Sequence, residues 1–200
     1  MRALVVALAL MAPYTQRGAA PPGQPGGRGG GRGRGAIQVM TLTSSAWSDG
    51  GQIPIKYSQA GDEASPPLAC TNVPEGAASF ALIVHDVDAP IGNGTDDLLH
   101  WMLWNIPAST TSLAEHVAQG SQLPDGTRQI SATGPNYRGP AAPSTGPAHH
   151  YLFELFALDT RIDDVPAVGA SPPQTRAAVV AAMAGHVRGK AAYVGMFKRP

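Results

Sequence analysis

Acidic and imidazole side chains stand at the ends of two apolar segments in the middle of the chain. The apolar run 80–84 leads into Asp86 and Asp88, and His100 opens the next apolar run, which continues to Asn105. A carboxylate beside a histidine can take part in acid–base chemistry or fix the orientation of the imidazole ring. We expect two buried strands to bring these side chains to one end of the fold.

A third segment adds donors to the same predicted end. Segment 149–159 alternates as a strand, so His149 and Tyr151 share one face and His150 lies on the other. It follows segment 133–147, whose four prolines exclude regular structure. Imidazole and phenol groups can donate to an anion, and Asp86 can accept one N–H of His100 and help to keep that ring protonated. These residues predict a ligand-binding pocket.

Two other kinds of site use the same residue types. Asp86 and His100 could activate water in a hydrolase, although the chain has no Gly-x-Ser-x-Gly nucleophile motif. The aspartates and histidines could bind a metal, although their spacing matches no common metal motif. We therefore favour a binding module over an enzyme or a metal protein, and we expect no cofactor.

The elements that would position these residues are mostly short strands. One helix is predicted over 172–188, with Ser171 as its N-cap, Gln174 completing a capping box and Gly189 ending it. Several strands and one late helix indicate a mostly antiparallel β fold with two packed sheets.

Charge is distributed unevenly along the 200 residues, a length that suits one ordinary domain. Five of the 14 Lys and Arg residues precede residue 36 and none of the 14 acids does, so the rest of the chain carries nine basic residues and a net charge of about −5. This balance argues against a specific nucleic-acid interface.

The N-terminal region is predicted to lie outside the folded domain. Residues 1–20 resemble a signal peptide, because one Arg precedes an apolar run that is too short to span a bilayer. Residues 21–36 are rich in Gly, Arg and Pro and predict a disordered linker, and residues 37–200 form the domain. We expect an exported, periplasmic or secreted protein; a misassigned start codon would make it cytoplasmic.

Several short motifs, in order, resemble the phosphatidylethanolamine-binding protein family, and most closely its bacterial Raf kinase inhibitor-like (YbhB/YbcL-type) branch. The resemblance covers about residues 37–200. The motifs are Asp86-Val87-Asp88-Ala89-Pro90, His100-Trp101 through Asn105-Ile106-Pro107, Gly134-Pro135-Asn136-Tyr137-Arg138-Gly139-Pro140, His149-His150-Tyr151 and the C-terminal Tyr193-Val194-Gly195.

This resemblance implies a β-sandwich with Greek-key connections, one or two peripheral helices and a small anion pocket at one end. By position, Asp86, His100 and Tyr151 match the family's pocket residues, and the residues that match its rim are Pro90, Gly139, Pro140 and His149. The family pattern also implies a cis Ala89–Pro90 bond. His85 and Val87 depart from it, because the family commonly has Tyr or Thr and Pro at these positions.

The function implied is the binding of phosphate-like anions or phospholipid head groups. The resemblance further implies a regulator or inhibitor of another protein, such as a kinase or a protease. A homodimer is left open by the sequence.

Overall fold

The computed structural model describes residues 36–165 and 171–200. Most of the regular structure is β-strand, as predicted from the short alternating apolar segments. The strands are β1 (Gln38–Val39), β2 (Thr41–Thr43), β3 (Gly51–Gln52), β4 (Leu68–Thr71), β5 (Ser79–Ile91), β6 (Asp96–Pro107), β7 (Ser112–Leu113), β8 (Arg128–Ile130), β9 (His149–Leu158) and β10 (Val187–Phe197). The described part of the chain also contains the α-helix α1 (Pro172–Met183) and the 3-10 turn Ile55–Tyr57.

The described residues form two sheets. The larger sheet has the order β1-β10-β9-β5-β6-β8, with β3 also pairing with β10, and the smaller has the order β2-β4-β7. Strands β5, β6 and β8 lie side by side, and β9 returns by a long connection to pair with β5, which is a Greek-key arrangement. The central pairs are antiparallel, whereas β1 and β3 pair with β10 in parallel, so the larger sheet is mixed.

The larger sheet buries both of its faces. One face packs against the smaller sheet, where Leu82 and Phe153 meet Leu42 and Leu68 in the main core. The other face is covered by α1, where Val179 and Met183 pack against Ile83 and neighbouring apolar residues. Residues that alternate along β5 and β9 therefore face two different environments, and the candidate site lies on the face toward the smaller sheet.

Helix α1 is shorter than the predicted 172–188. The capping box of Ser171 and Gln174 is present, as predicted. The helix ends at Met183 because Gly185 adopts a left-handed conformation (φ 87°) and Val187 already pairs with Leu158 as strand β10. The predicted stop at Gly189 was wrong because sheet pairing outweighs the helical pattern of the sequence.

The expected cis Ala89–Pro90 bond is also corrected. No peptide bond among the described residues is cis, and this segment instead continues as the extended end of β5. Within residues 36–165 and 171–200, no helix has the length and apolar character needed to cross a membrane.

Candidate ligand-binding site

A β-bulge places His100 in the candidate site. Val84 pairs with Trp101 and His85 with Leu99, so His100 is the extra residue on β6. The bulge changes the phase of the strand: Leu99 packs on the helix side of the sheet, whereas Trp101 belongs to the core between the sheets. His100 is thereby turned toward Tyr151, with the two rings edge to face and their centroids 5.0 Å apart.

Asp86 pairs with His149 rather than with His100. Its Oδ2 atom lies 2.9 Å from His149 Nδ1, and Oδ1 accepts the Asp88 backbone N–H at 3.0 Å. Strands β5 and β9 produce this contact, because Asp86 is opposite Tyr151 in the register and His149 is two residues away on the same face. The expectation that Asp86 orients His100 is therefore corrected.

The carbonyl of Arg138 orients His100 instead. His100 Nδ1 lies 2.8 Å from this oxygen, and the Arg138 backbone N–H donates to the His100 carbonyl at 2.9 Å. A carbonyl can only accept, so Nδ1 carries the proton and Nε2 of a neutral ring has a free lone pair. His100 Nε2 is buried and has no hydrogen-bond partner among the described residues.

The surroundings favour the neutral form of His100. Burial lowers the pKa of the ring below its ordinary value, and the Arg138 guanidinium acts in the same direction. The backbone carbonyls of Arg138 and Gly139 and the Asp86 carboxylate oppose this change without reversing it. The expectation of a ring kept protonated by Asp86 is not met in this structure.

Tyr151 links the site residues on β5, β6 and β9 to the proline-rich segment 133–147. Its hydroxyl oxygen accepts the N–H groups of Ala141 and Ala142 at 3.2 and 3.1 Å. Burial raises the pKa of this hydroxyl well above its ordinary value, and the neighbouring Asp86 carboxylate adds to the rise. Tyr151 is therefore a neutral phenol whose own proton is available to Asp86 or to a ligand.

Segment 139–142, called the wall below, is held from behind by residues that sequence reasoning did not single out. The Gly139 N–H donates to Glu63 Oε1 at 3.0 Å, and its carbonyl accepts from Gln59 Nε2 at 2.8 Å. The Gln59 N–H donates to the Pro140 carbonyl at 3.0 Å. Only glycine fits at residue 139, because a Cβ there would lie 2.7 Å from the Tyr57 carbonyl oxygen.

Pro90 is the one predicted site residue that lies apart from the others. It is exposed near the hairpin that joins β5 to β6. It follows Asp86 by four positions of extended chain, a span of about 13 Å. The structure thus brings together Asp86, His100, His149, Tyr151 and the wall, and leaves Pro90 at a distance.

The cluster formed by Asp86, His100, His149 and Tyr151 is closed to solvent in this conformation. His100 and Tyr151 are each 1% exposed and Asp86 is 3% exposed, while the His149 side chain is 16% exposed. The cluster lies outside a cavity of about 650 Å³ that separates α1 from the β5–β6 hairpin. A ligand could reach His100 only if the wall or the His149 side moved.

Arg138 is a further residue of this site that residue types alone did not reveal. It is half-buried, and its Nε atom is buried without a hydrogen-bond partner in the described part of the chain. Its charge is close enough to lower the pKa of His100. Two hydrogen bonds between the Arg138 backbone and His100 fix the position of Arg138. They could not have been predicted from a Pro/Gly-rich motif.

The arrangement offers little support for a metal or a nucleophile. Among residues 36–165 and 171–200, no group of three His, Cys, Asp or Glu side chains is placed to bind a metal ion. Cys70 is buried and unpaired, and burial raises the pKa of its thiol. What the cluster does provide is an oriented imidazole, a neutral phenol and a guanidinium, which together suit an oxyanion.

Comparison with known proteins identifies one family over most of the chain. The family model for phosphatidylethanolamine-binding protein matches residues 43–198. The UPF0098 protein of Methanothermobacter thermautotrophicus is 43% identical over 162 residues, which cover 80% of this chain and 99% of that protein. The UPF0098 protein YbhB of Escherichia coli is 38% identical over 136 residues, covering 63% of this chain and 82% of YbhB.

Two crystal structures support the same assignment. CT736 from Chlamydia trachomatis, described as a putative phosphatidylethanolamine-binding protein homologue, is 32% identical with a TM-score of 0.68, covering 82% of this chain and 99% of CT736. Escherichia coli YbcL is 28% identical with a TM-score of 0.68, covering 80% of this chain and 99% of YbcL. The chain therefore belongs to the phosphatidylethanolamine-binding protein family, in its YbhB/YbcL-type branch.

Proposed function

We propose that this protein binds small phosphate-like oxyanions, including phospholipid head groups, at the cluster of Asp86, His100, His149 and Tyr151. The observation that carries the proposal is His100 Nε2, which is buried with no partner among the described residues. An unsatisfied buried polar atom costs about 1–3 kcal/mol, and the described residues contain a second one in the same site, Arg138 Nε. A bound oxyanion that shares a proton with His100 Nε2 would remove this cost.

The charges around the cluster favour an oxyanion over a cation. Asp86 is already engaged by His149, whereas Arg138 forms no ion pair within the described part of the chain. A half-buried guanidinium without a carboxylate partner is suited to phosphate, with which it forms charge-assisted hydrogen bonds. The small size of the cluster limits the ligand to a head group or a comparable small molecule.

Isothermal titration calorimetry with inorganic phosphate and with phosphoethanolamine tests this proposal. We expect saturable binding at millimolar or lower concentration for the unchanged protein, and a loss of at least tenfold in affinity for His100→Ala. His186→Ala is the matched control, because this exposed histidine pairs with Asp159 far from the cluster along the chain. Absence of binding by the unchanged protein, with both probes, would refute the proposal.

A regulatory role would follow if binding changed the surface around the wall. The N–H groups of Ala141 and Ala142 in the wall donate to the Tyr151 hydroxyl oxygen. A ligand that displaced Tyr151 would therefore also displace the wall. We propose that this coupling lets the protein regulate or inhibit another protein. A hydrogen-exchange measurement in which phosphate left the amides of residues 139–147 unchanged would argue against it.

We further propose that the protein is exported, on the basis of the apolar segment within residues 1–20, which lie outside the described residues. Cell fractionation followed by intact-mass measurement tests this. Recovery of the whole 200-residue chain from the cytoplasm alone would contradict export.

A further inference from the structure

The tautomer of His100 limits the form in which an anion can bind. Nδ1 donates to the Arg138 carbonyl at 2.8 Å, so Nε2 of the neutral ring presents a lone pair. An unprotonated oxyanion also presents only lone pairs, and two acceptors at hydrogen-bond distance repel each other. The other tautomer, with its proton on Nε2, would place the lone pair of Nδ1 opposite the Arg138 carbonyl oxygen and so break a buried hydrogen bond.

We infer that the site takes up one proton with each oxyanion, so that the complex contains an N–H donor at His100 Nε2 facing the anion. This inference rests on the proposed function and specifies the chemistry of the same site. The proton comes from solvent when the ligand is a fully ionised anion, or arrives as the O–H of a monoprotonated phosphate; in both cases it lies between Nε2 and a ligand oxygen.

The groups that face His100 from each neighbouring element are compatible with proton uptake at Nε2 when an anion binds. Asp86 on β5 lies near the ring, Arg138 borders it from the loop after β8, and Tyr151 on β9 contacts it edge to face. His149, also on β9, is paired with Asp86. The charge of Arg138 opposes protonation of His100, and a bound anion would neutralise Arg138 and remove that opposition.

Sulfate is the sharpest probe because it stays fully ionised from pH 5.5 to 8.5, so any proton taken up must go to the protein. Titration calorimetry in two cationic buffers of different ionisation enthalpy counts that proton and avoids sulfonate buffers, which would compete for the site. We expect uptake of about one proton per sulfate at pH 7.5, and a decrease in affinity of about tenfold per pH unit above pH 6.5.

Two variants assign the proton to a residue. His100→Gln keeps an N–H donor that needs no proton, so its sulfate affinity should be independent of pH. His149→Gln should retain the pH dependence, although its affinity falls. If the pH dependence instead disappeared in His149→Gln and persisted in His100→Gln, the inference would be overturned.

A measurement on the unchanged protein avoids reliance on a variant that folds poorly. The ¹⁵N chemical shift of His100 Nε2 at pH 7.5 should move from the unprotonated to the protonated range on adding sulfate. Sulfate binding with no proton uptake and no such shift would overturn the inference and leave the proposed function standing. Failure of sulfate and phosphate to bind at any pH would instead refute the proposed function itself.

Discussion

Hydrogen bonds at single atoms decide what each residue of the cluster can do. Asp86 and His149 satisfy each other, and His100 Nδ1 is satisfied by a main-chain carbonyl. Among the described residues of the site, His100 Nε2 and Arg138 Nε are left buried without a partner, so the capacity to bind a ligand is concentrated at these two nitrogens. Asp86 does not orient His100 because it contacts His149 instead. Residue types alone could not predict this, because they do not specify which of two nearby histidines a carboxylate contacts.

Removing the Tyr151 hydroxyl should loosen the wall. Tyr151→Phe leaves the N–H groups of Ala141 and Ala142 without their acceptor, so we expect a loss of about 1–3 kcal/mol in the free energy of unfolding. The amides of residues 141 and 142 should also exchange faster. Urea denaturation and hydrogen exchange measure these two effects.

Tyr193→Phe is a matched control, because its hydroxyl donates to the Trp47 carbonyl away from the cluster. It should lower stability without accelerating exchange selectively at residues 141 and 142. Unchanged exchange at these amides in Tyr151→Phe would show that the hydroxyl does not hold the wall.

At the scale of elements, the site depends on one irregularity and one support. The bulge at His100 places this residue and Trp101 on the same side of the sheet, and residues 59–63 support the wall from behind. Neither feature follows from local sequence. The run Leu98-Leu99-His100-Trp101-Met102 is almost entirely apolar, so alternation cannot reveal where its phase changes.

Other parts of these elements could be predicted, for identifiable reasons. Strand β9 was predicted to within one residue because its two faces alternate clearly, and Tyr151 and Phe153 lie together on the buried face. The start of α1 was predicted from its capping box, but its end was not. Helix ends and bulges depend on pairing with distant strands, here β10 with β9 and β6 with β5, and such pairing leaves no local pattern.

A methyl group at residue 139 tests the support of the wall. Gly139→Ala places a Cβ 2.7 Å from the Tyr57 carbonyl oxygen and 2.8 Å from Ser58 backbone atoms, so the wall must shift. We expect about 1–3 kcal/mol of destabilisation and a change in the NMR signals of His100.

Gly146→Ala serves as the control within the same loop. A Cβ at residue 146 meets no atom within 4 Å, and its cost comes only from the left-handed backbone (φ 94°), about 1 kcal/mol. The His100 signals should stay unchanged in this variant. Equal perturbation of His100 by both substitutions would show that crowding behind Gly139 does not set the position of the wall.

Across the whole molecule, two buried histidines on opposite faces of the large sheet make stability depend on pH with opposite signs. His85 Nδ1 lies 2.6 Å from Asp97 Oδ2, and its Nε2 lies 3.3 Å from Glu154 Oε2, within ion-pair distance but without hydrogen-bond geometry. Burial alone would lower the pKa of His85, but Glu154 and Asp97 outweigh it and raise the pKa, while Arg176 of α1 opposes them.

These shifts predict different pH profiles for two variants. The raised pKa of His85 stabilises the fold fully below pH 6.5, the ordinary histidine value, and this contribution is lost as the pH rises through the folded-state pKa. The lowered pKa of His100 instead destabilises the fold as the pH falls below 6.5. His85→Gln should therefore cost more stability at pH 5.5 than at pH 8.5, and His100→Gln should cost less at pH 5.5 than at pH 8.5.

Urea denaturation at these two pH values, in the absence of phosphate and sulfate, measures both profiles. His116→Gln provides a baseline, because His116 is exposed, unlike His85 and His100. Profiles of the same sign for the two variants would contradict the environments described for His85 and His100.

The central claim is that an oxyanion binds against His100 Nε2, and a crystal structure of the protein with inorganic phosphate tests it most directly. We predict a phosphate oxygen at about 2.7–3.0 Å from His100 Nε2, with Arg138 and Tyr151 around the anion and the wall displaced to admit it. A structure at saturating phosphate in which the ion lay elsewhere, and His100 Nε2 remained buried without a partner, would contradict the claim.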